Sequence, residues 1–133
     1  MSQENAEIVR RIYEQGLLDQ HPEQLAALVT PDVEYVNPPE ALEPGIRRGR
    51  TELARALRNV SEPFDSYRYE FHELFKAGDA VVASVSCHAR SFGSGTELVQ
   101  EEAHTWTLRD GKIVRFEWGR DLGTALEAAG LSD

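Results

Sequence analysis

Ser66-Tyr67-Arg68-Tyr69-Glu70-Phe71-His72-Glu73-Leu74-Phe75-Lys76 opens the stretch that decides the fold. Tyr67, Tyr69, Phe71 and Phe75 alternate with Arg68, Glu70 and His72, the period-two pattern of a strand with one buried face. Ala77-Gly78-Asp79 turns the chain into Ala80–Phe92, and Gly93-Ser94-Gly95 turns it again into Thr96–Leu108. Arg109-Asp110-Gly111 is a hairpin turn before Lys112–Trp118. Four long strands in a row, joined by tight turns, predict an antiparallel meander.

Upstream of Ser66 the apolar residues recur at helical spacing. Glu4–Leu18 places Ile8, Val9, Ile12 and Tyr13 on one face. Pro22 suits the first turn of a second, short helix carrying Leu25, Leu28 and Val29. Val33–Asn37 alternates as a short strand and Pro38-Pro39 ends it. A loop then runs through Pro44-Gly45, and Thr51 is the expected N-cap of a third helix that ends near Val60. Beyond the meander, Asp121 is the expected N-cap of a last helix that ends at Gly130. The expected order is ααβαββββα, an α+β arrangement with helices grouped early and strands grouped late. The helices are expected to close the concave side of a curved antiparallel sheet into a cone-shaped barrel with an open mouth, a concavity where small ligands bind.

The chain of 133 residues fits one domain, 1–133. Fourteen Lys and Arg stand against twenty-three Asp and Glu, a net charge of -9. That balance disfavours nucleic acid and anionic membrane surfaces as partners, since both need a basic face. No secretory signal is visible at Met1-Ser2-Gln3-Glu4, and the most apolar run, Ala80 to Cys87, is too short to span a bilayer. The cytoplasm is the expected compartment. One cysteine, Cys87, allows no internal disulfide. Neither an HExxH pattern nor a phosphate loop nor a dinucleotide fingerprint is present, so no metal or cofactor is expected.

Several motifs together resemble a family. They are Leu25-Ala26-Ala27-Leu28, Pro31-Asp32-Val33-Glu34-Tyr35-Val36-Asn37-Pro38, Gly49-Arg50, and His104-Thr105-Trp106-Thr107-Leu108-Arg109-Asp110-Gly111-Lys112-Ile113-Val114. The chain is similar to the SnoaL-like branch of the nuclear transport factor 2-like superfamily. That resemblance implies the cone-shaped fold, a deep apolar pocket and a homodimer formed through the outer sheet face. Its function is open, because isomerases, cyclases, hydrolases and non-enzymatic modules share the scaffold.

The resemblance places Asn37 in the cavity, and alternation puts Tyr35 on the same side. In the superfamily's ketosteroid isomerases the matching position is an aspartate that moves a proton. An amide at Asn37 is no base near neutral pH, which argues against that mechanism. Gln100, Glu102, His104 and Trp106 share one face of their strand. His104 is the foremost candidate for acid, base or hydrogen-bond donor, since imidazole changes charge near neutral pH. Trp106, Phe116, Trp118 and Tyr35 are expected as an apolar, aromatic lining. Asp121 reads first as a helix cap, and it stays a second candidate because the family's polyketide cyclases use an aspartate and a histidine. Cys87 reads as a core thiol. Val82, Val99 and Phe71 are read as outward and apolar, which supports the dimer. The expected activity is His-assisted proton transfer on an apolar, oxygen-bearing small molecule, as in an isomerase, cyclase or hydrolase. The alternative is a non-catalytic ligand-binding or dimerisation module of the same fold.

Overall fold

The computed structural model describes residues 2–41 and 43–131. Helix α1 (Ser2–Glu14) presents Val9, Ile12 and Tyr13 to the interior. It stops earlier than its apolar pattern suggests, because Gly16 takes φ +64°. Leu17 N then donates to Ile12 O at 2.9 Å and Gly16 N to Tyr13 O at 3.2 Å. This pair of bonds is the left-handed helix ending that favours glycine. Leu17 and Leu18 remain buried beyond it.

Helix α2 (Pro22–Leu25) runs into a single 3-10 turn at Ala26–Leu28. Strand β1 (Val29–Asn37) starts four residues ahead of the expected position. The segment read as a loop contains a short edge strand, β2 (Gly45–Arg48), antiparallel to β1. Helix α3 is Arg50–Ser61, and its N-cap position is Gly49 rather than Thr51. The meander follows as β3 (Phe64–Ala77), β4 (Ala80–Ser91), β5 (Glu97–Arg109) and β6 (Lys112–Gly119). Helix α4 (Leu122–Ala128) closes the order.

The sheet order is β2-β1-β6-β5-β4-β3. The meander is antiparallel as expected, but β1 joins β6 in parallel, so the six-stranded sheet is mixed and is not closed. The fold is an α+β cone of curved sheet over helices. Helix α1 packs on β3 and β4, and α3 packs on β1. The core lies between helices and sheet, with Val9, Ile12, Val33, Leu57, Val85, Trp106 and Phe116 in one buried cluster.

The register sets which side chains share that interior. Glu102 pairs with Val85, His104 with Ala83 and Trp106 with Val81. Across the other edge of β5, His104 pairs with Trp118 and Trp106 with Phe116. A register shift in β3 between Phe71 and Glu73 interrupts the alternation, as a bulge does. Phe71 lies before that shift, on the same face as Tyr69, and points inward with its ring 5.4 Å from that of Tyr13, which corrects the outward reading. Val99 is exposed, while Val82 is fully buried. No helix among the described residues is long and apolar enough to cross a membrane.

Candidate functional site

The inner face of β5 carries a polar chain inside the apolar core. His104 has no exposed surface and Glu102 retains 7% of its own. His104 Nε2 lies 2.9 Å from Glu102 Oε1, and His104 Nδ1 lies 2.6 Å from Tyr13 Oη. Trp106 Nε1 donates to the same Tyr13 oxygen at 2.9 Å. Gln100 Nε2 donates to Glu102 Oε2 at 2.7 Å. Glu102, His104 and Trp106 come from alternate positions of one strand. Tyr13 comes from α1, ninety-one residues away from His104. Burying a carboxylate and an imidazole is costly unless both are bonded, and here each one is.

Aromatic rings enclose the chain. The Phe116 and Tyr69 ring centroids stand 5.1 Å and 5.0 Å from that of His104, both edge to face. Trp106 and Phe116 are 4.5 Å apart, and Tyr35 packs on Phe116 at 5.6 Å. All four tyrosines of the chain feel the charge of Glu102. Burial raises each phenol, and the negative charge of Glu102 adds to the effect at Tyr13, Tyr35, Tyr67 and Tyr69. These hydroxyls therefore stay protonated and act as neutral donors. Cys87 shares this inner face, and burial pushes its thiol up to about 11.

Two further groups sit toward the rim. Asn37 Oδ1 accepts from Trp118 Nε1 at 2.7 Å, and Asn37 Nδ2 donates to Glu43 O at 2.8 Å. This amide thus fixes the second tryptophan. Asp19 Oδ2 accepts from Tyr69 N at 2.6 Å. A cavity of about 720 Å³ lies between the end of α1 and the start of β3, where Tyr13, Asp19, Phe64 and Tyr67 line it.

The structure brings together His104, Trp106, Phe116 and Tyr35 and places Asn37 and Trp118 beside them. Asp121 makes no contact with His104, but it lines a groove together with Asn37 and Trp118. It is exposed at the N-cap of α4, where its Oδ2 accepts from both the hydroxyl and the amide of Thr124. The Thr124 hydroxyl, then its amide, hold the Asp121 carboxyl below the ordinary range. Glu102 and Tyr13 complete the chain, though neither stands out in the sequence as chemistry. Glu102 was visible on the His104 face, and Tyr13 on the apolar face of α1. Among the described residues, no group of three or more His, Cys, Asp and Glu side chains is arranged to hold a metal ion.

Solved structures with the same architecture include TerC co-crystallised with polyporic acid, which is 27% identical with a TM-score of 0.74, covering 96% of this chain and 98% of that one. A protein described as a SnoaL-like polyketide cyclase from Jannaschia sp. CCS1 is 21% identical with a TM-score of 0.74, covering 99% and 94%. An LEH-like epoxide hydrolase from M. tuberculosis is 16% identical with a TM-score of 0.69, covering 91% and 85%. At those last two identities the likeness is one of fold. No curated protein matches the sequence. The model of the SnoaL-like domain matches residues 9–116, from within α1 into β6, and the chain belongs to that family.

Proposed function

We propose that the protein binds an apolar, oxygen-bearing small molecule at the inner face of the cone and moves a proton on it through the Glu102–His104 pair. The observation that carries this reading is the buried chain from Glu102 through His104 to Tyr13, at 2.9 Å and 2.6 Å. A sheet that needed only a core would fill these positions with apolar side chains, since replacing both members of a buried hydrogen-bonded pair by apolar groups of the same shape is often neutral or stabilising. The binding of polyporic acid by TerC, with 27% identity over nearly the whole chain, supports a ligand with aromatic rings and oxygens. In this reading Tyr35, Phe116, Trp106 and Trp118 supply the apolar walls, and Asn37 holds Trp118. Asp121 serves as a helix cap.

Binding can be read without knowing the reaction, because both tryptophans of the chain lie at the site. Titration with polyporic acid and with cyclic aryl ketones should change tryptophan fluorescence with saturation in the micromolar range. An unchanged signal up to millimolar ligand would contradict the reading. A non-catalytic module of the same fold is favoured by one observation, the complete enclosure of His104. It predicts saturable binding with no turnover of any ligand that binds.

We also propose that a second copy of the chain packs on the outer sheet face. A groove of about 1090 Å³ lies between α4 and the sheet, lined by Val36, Ala103, Thr105, Ala125 and Ala129 and reaching Asn37 and Trp118 at the rim. Ile46 and Val99 add exposed apolar surface, and such surface marks interaction sites. Sedimentation at micromolar concentration should give twice the chain mass, and a Val99→Lys, Thr105→Lys double variant should sediment as a monomer. A wild-type monomer throughout the micromolar range would refute it.

A further inference from the structure

The polar chain has a direction, and the side chain that sets it is the indole of Trp106. An indole nitrogen can only donate, so Tyr13 Oη accepts from Trp106 Nε1 at 2.9 Å. Burial keeps the Tyr13 hydroxyl protonated, with the charge of Glu102 adding to the effect. The Tyr13 hydrogen then points to His104 Nδ1, 2.6 Å away. Nδ1 must be the bare, accepting nitrogen, and Nε2 must carry the hydrogen that reaches Glu102 Oε1 at 2.9 Å. Gln100 supplies a donor to the other carboxylate oxygen at 2.7 Å.

The opposite arrangement leaves groups unpaired. With hydrogen on Nδ1, Tyr13 Oη would take two donors and its own hydrogen would lose the acceptor it has in His104 Nδ1. The lone pair of a neutral Nε2 would then meet the carboxylate. Buried polar groups are rarely left this way.

We infer that Trp106 and Tyr13 are positioning residues that hold His104 as the Nε2-protonated imidazole, so that Glu102 is the anion and the group that meets the ligand. The last clause rests on the proposed ligand site; the direction of the chain does not. Both residues have their polar atoms engaged, but His104 is fully enclosed whereas Glu102 keeps 7% of its surface exposed. The site then takes molecules that present a hydrogen to Glu102, such as a hydroxyl, an enol or an acidic C–H beside a carbonyl. Ligands that present a carboxylate at that point are rejected by like charge.

The test is nitrogen-15 NMR of the histidine rings in the full chain at neutral pH. The chain has four histidines, so His21→Gln, His72→Gln and His88→Gln identify the His104 signals by elimination. The wild type should show a protonated Nε2 and an unprotonated, hydrogen-bonded Nδ1. Trp106→Phe removes the donor while keeping an aromatic ring, and should move the pattern toward the Nδ1-protonated form. Tyr13→Phe should shift the Nδ1 signal toward that of a nitrogen without a hydrogen-bond donor. A wild-type ring protonated at Nδ1 overturns the inference even if neither variant folds, as do folded variants with unmoved ring signals. Because this readout needs no substrate, the inference stands or falls separately from the proposed function. Turnover that depends on Glu102 beside an Nδ1-protonated ring would sink the inference alone, and the expected ring pattern without ligand binding would sink the function alone.

Discussion

The four tyrosines make a test at the scale of the residue. Their phenols are raised in the fold by burial, and they return to an ordinary value near 10 when the chain unfolds. A raised folded value means that the stabilisation is intact below the unfolded value and is lost as pH climbs above it. Between pH about 10 and the onset of unfolding, each phenol that stays protonated in the fold should cost roughly 1.4 kcal/mol of stability per pH unit. Denaturant titrations across this range, with tyrosinate absorbance followed in parallel, should show ionisation and unfolding together. Ionisation of all four phenols in the folded protein would contradict the burial. Single residues were unevenly legible in the sequence. Alternation along β5 was enough to put His104 inside. It could not reveal that Glu102, two positions away, is the bonded partner, because a strand brings its i and i+2 side chains together only when curvature and space allow. The contribution of Tyr13 was hidden for a different reason, since its contact with His104 depends on how α1 crosses the sheet.

At the scale of the element, the turns between β3 and β6 could be read from their glycines and placed to within a residue or two. The first half of the chain was harder. The short strand β2, at Gly45–Arg48, has only Ile46 as an apolar residue and lies at the sheet edge, so periodicity had little to act on. The start of α3 is a backbone matter. Gly49 takes φ +99° and ψ 157° at the N-cap position, a region that other residues rarely enter. Its amide donates to Val33 O at 2.8 Å, which ties the helix start to β1. A side chain there would find space, since the nearest atom to an added Cβ is Pro31 O at 3.9 Å. The Gly49→Ala substitution should therefore destabilise through conformation alone, by about 1–3 kcal/mol. Chemical denaturation of the variant measures this, and an unchanged midpoint would mean that α3 starts differently. The bulge after Phe71 is the other feature that alternation missed, because one extra residue reverses every later side chain of a strand.

At the scale of the whole molecule, the family and the α+β cone follow from patterns spread over most of the chain, while the chemistry depends on a few contacts between distant segments. That is why the fold was more legible than the site. The proposed function turns on one step, in which a buried carboxylate, oriented by an imidazole, accepts a proton from a bound small molecule. The most direct measurement is deuterium exchange at the acidic C–H of a cyclic aryl ketone in heavy water. Wild-type protein is compared with Glu102→Gln, whose amide oxygen can still accept from His104 Nε2. Positioned general bases contribute typically 10²–10⁴-fold, so the account predicts exchange catalysed by the wild type and slowed at least about a hundredfold in Glu102→Gln, with binding of the ketone retained. Equal exchange rates in the two proteins would contradict it.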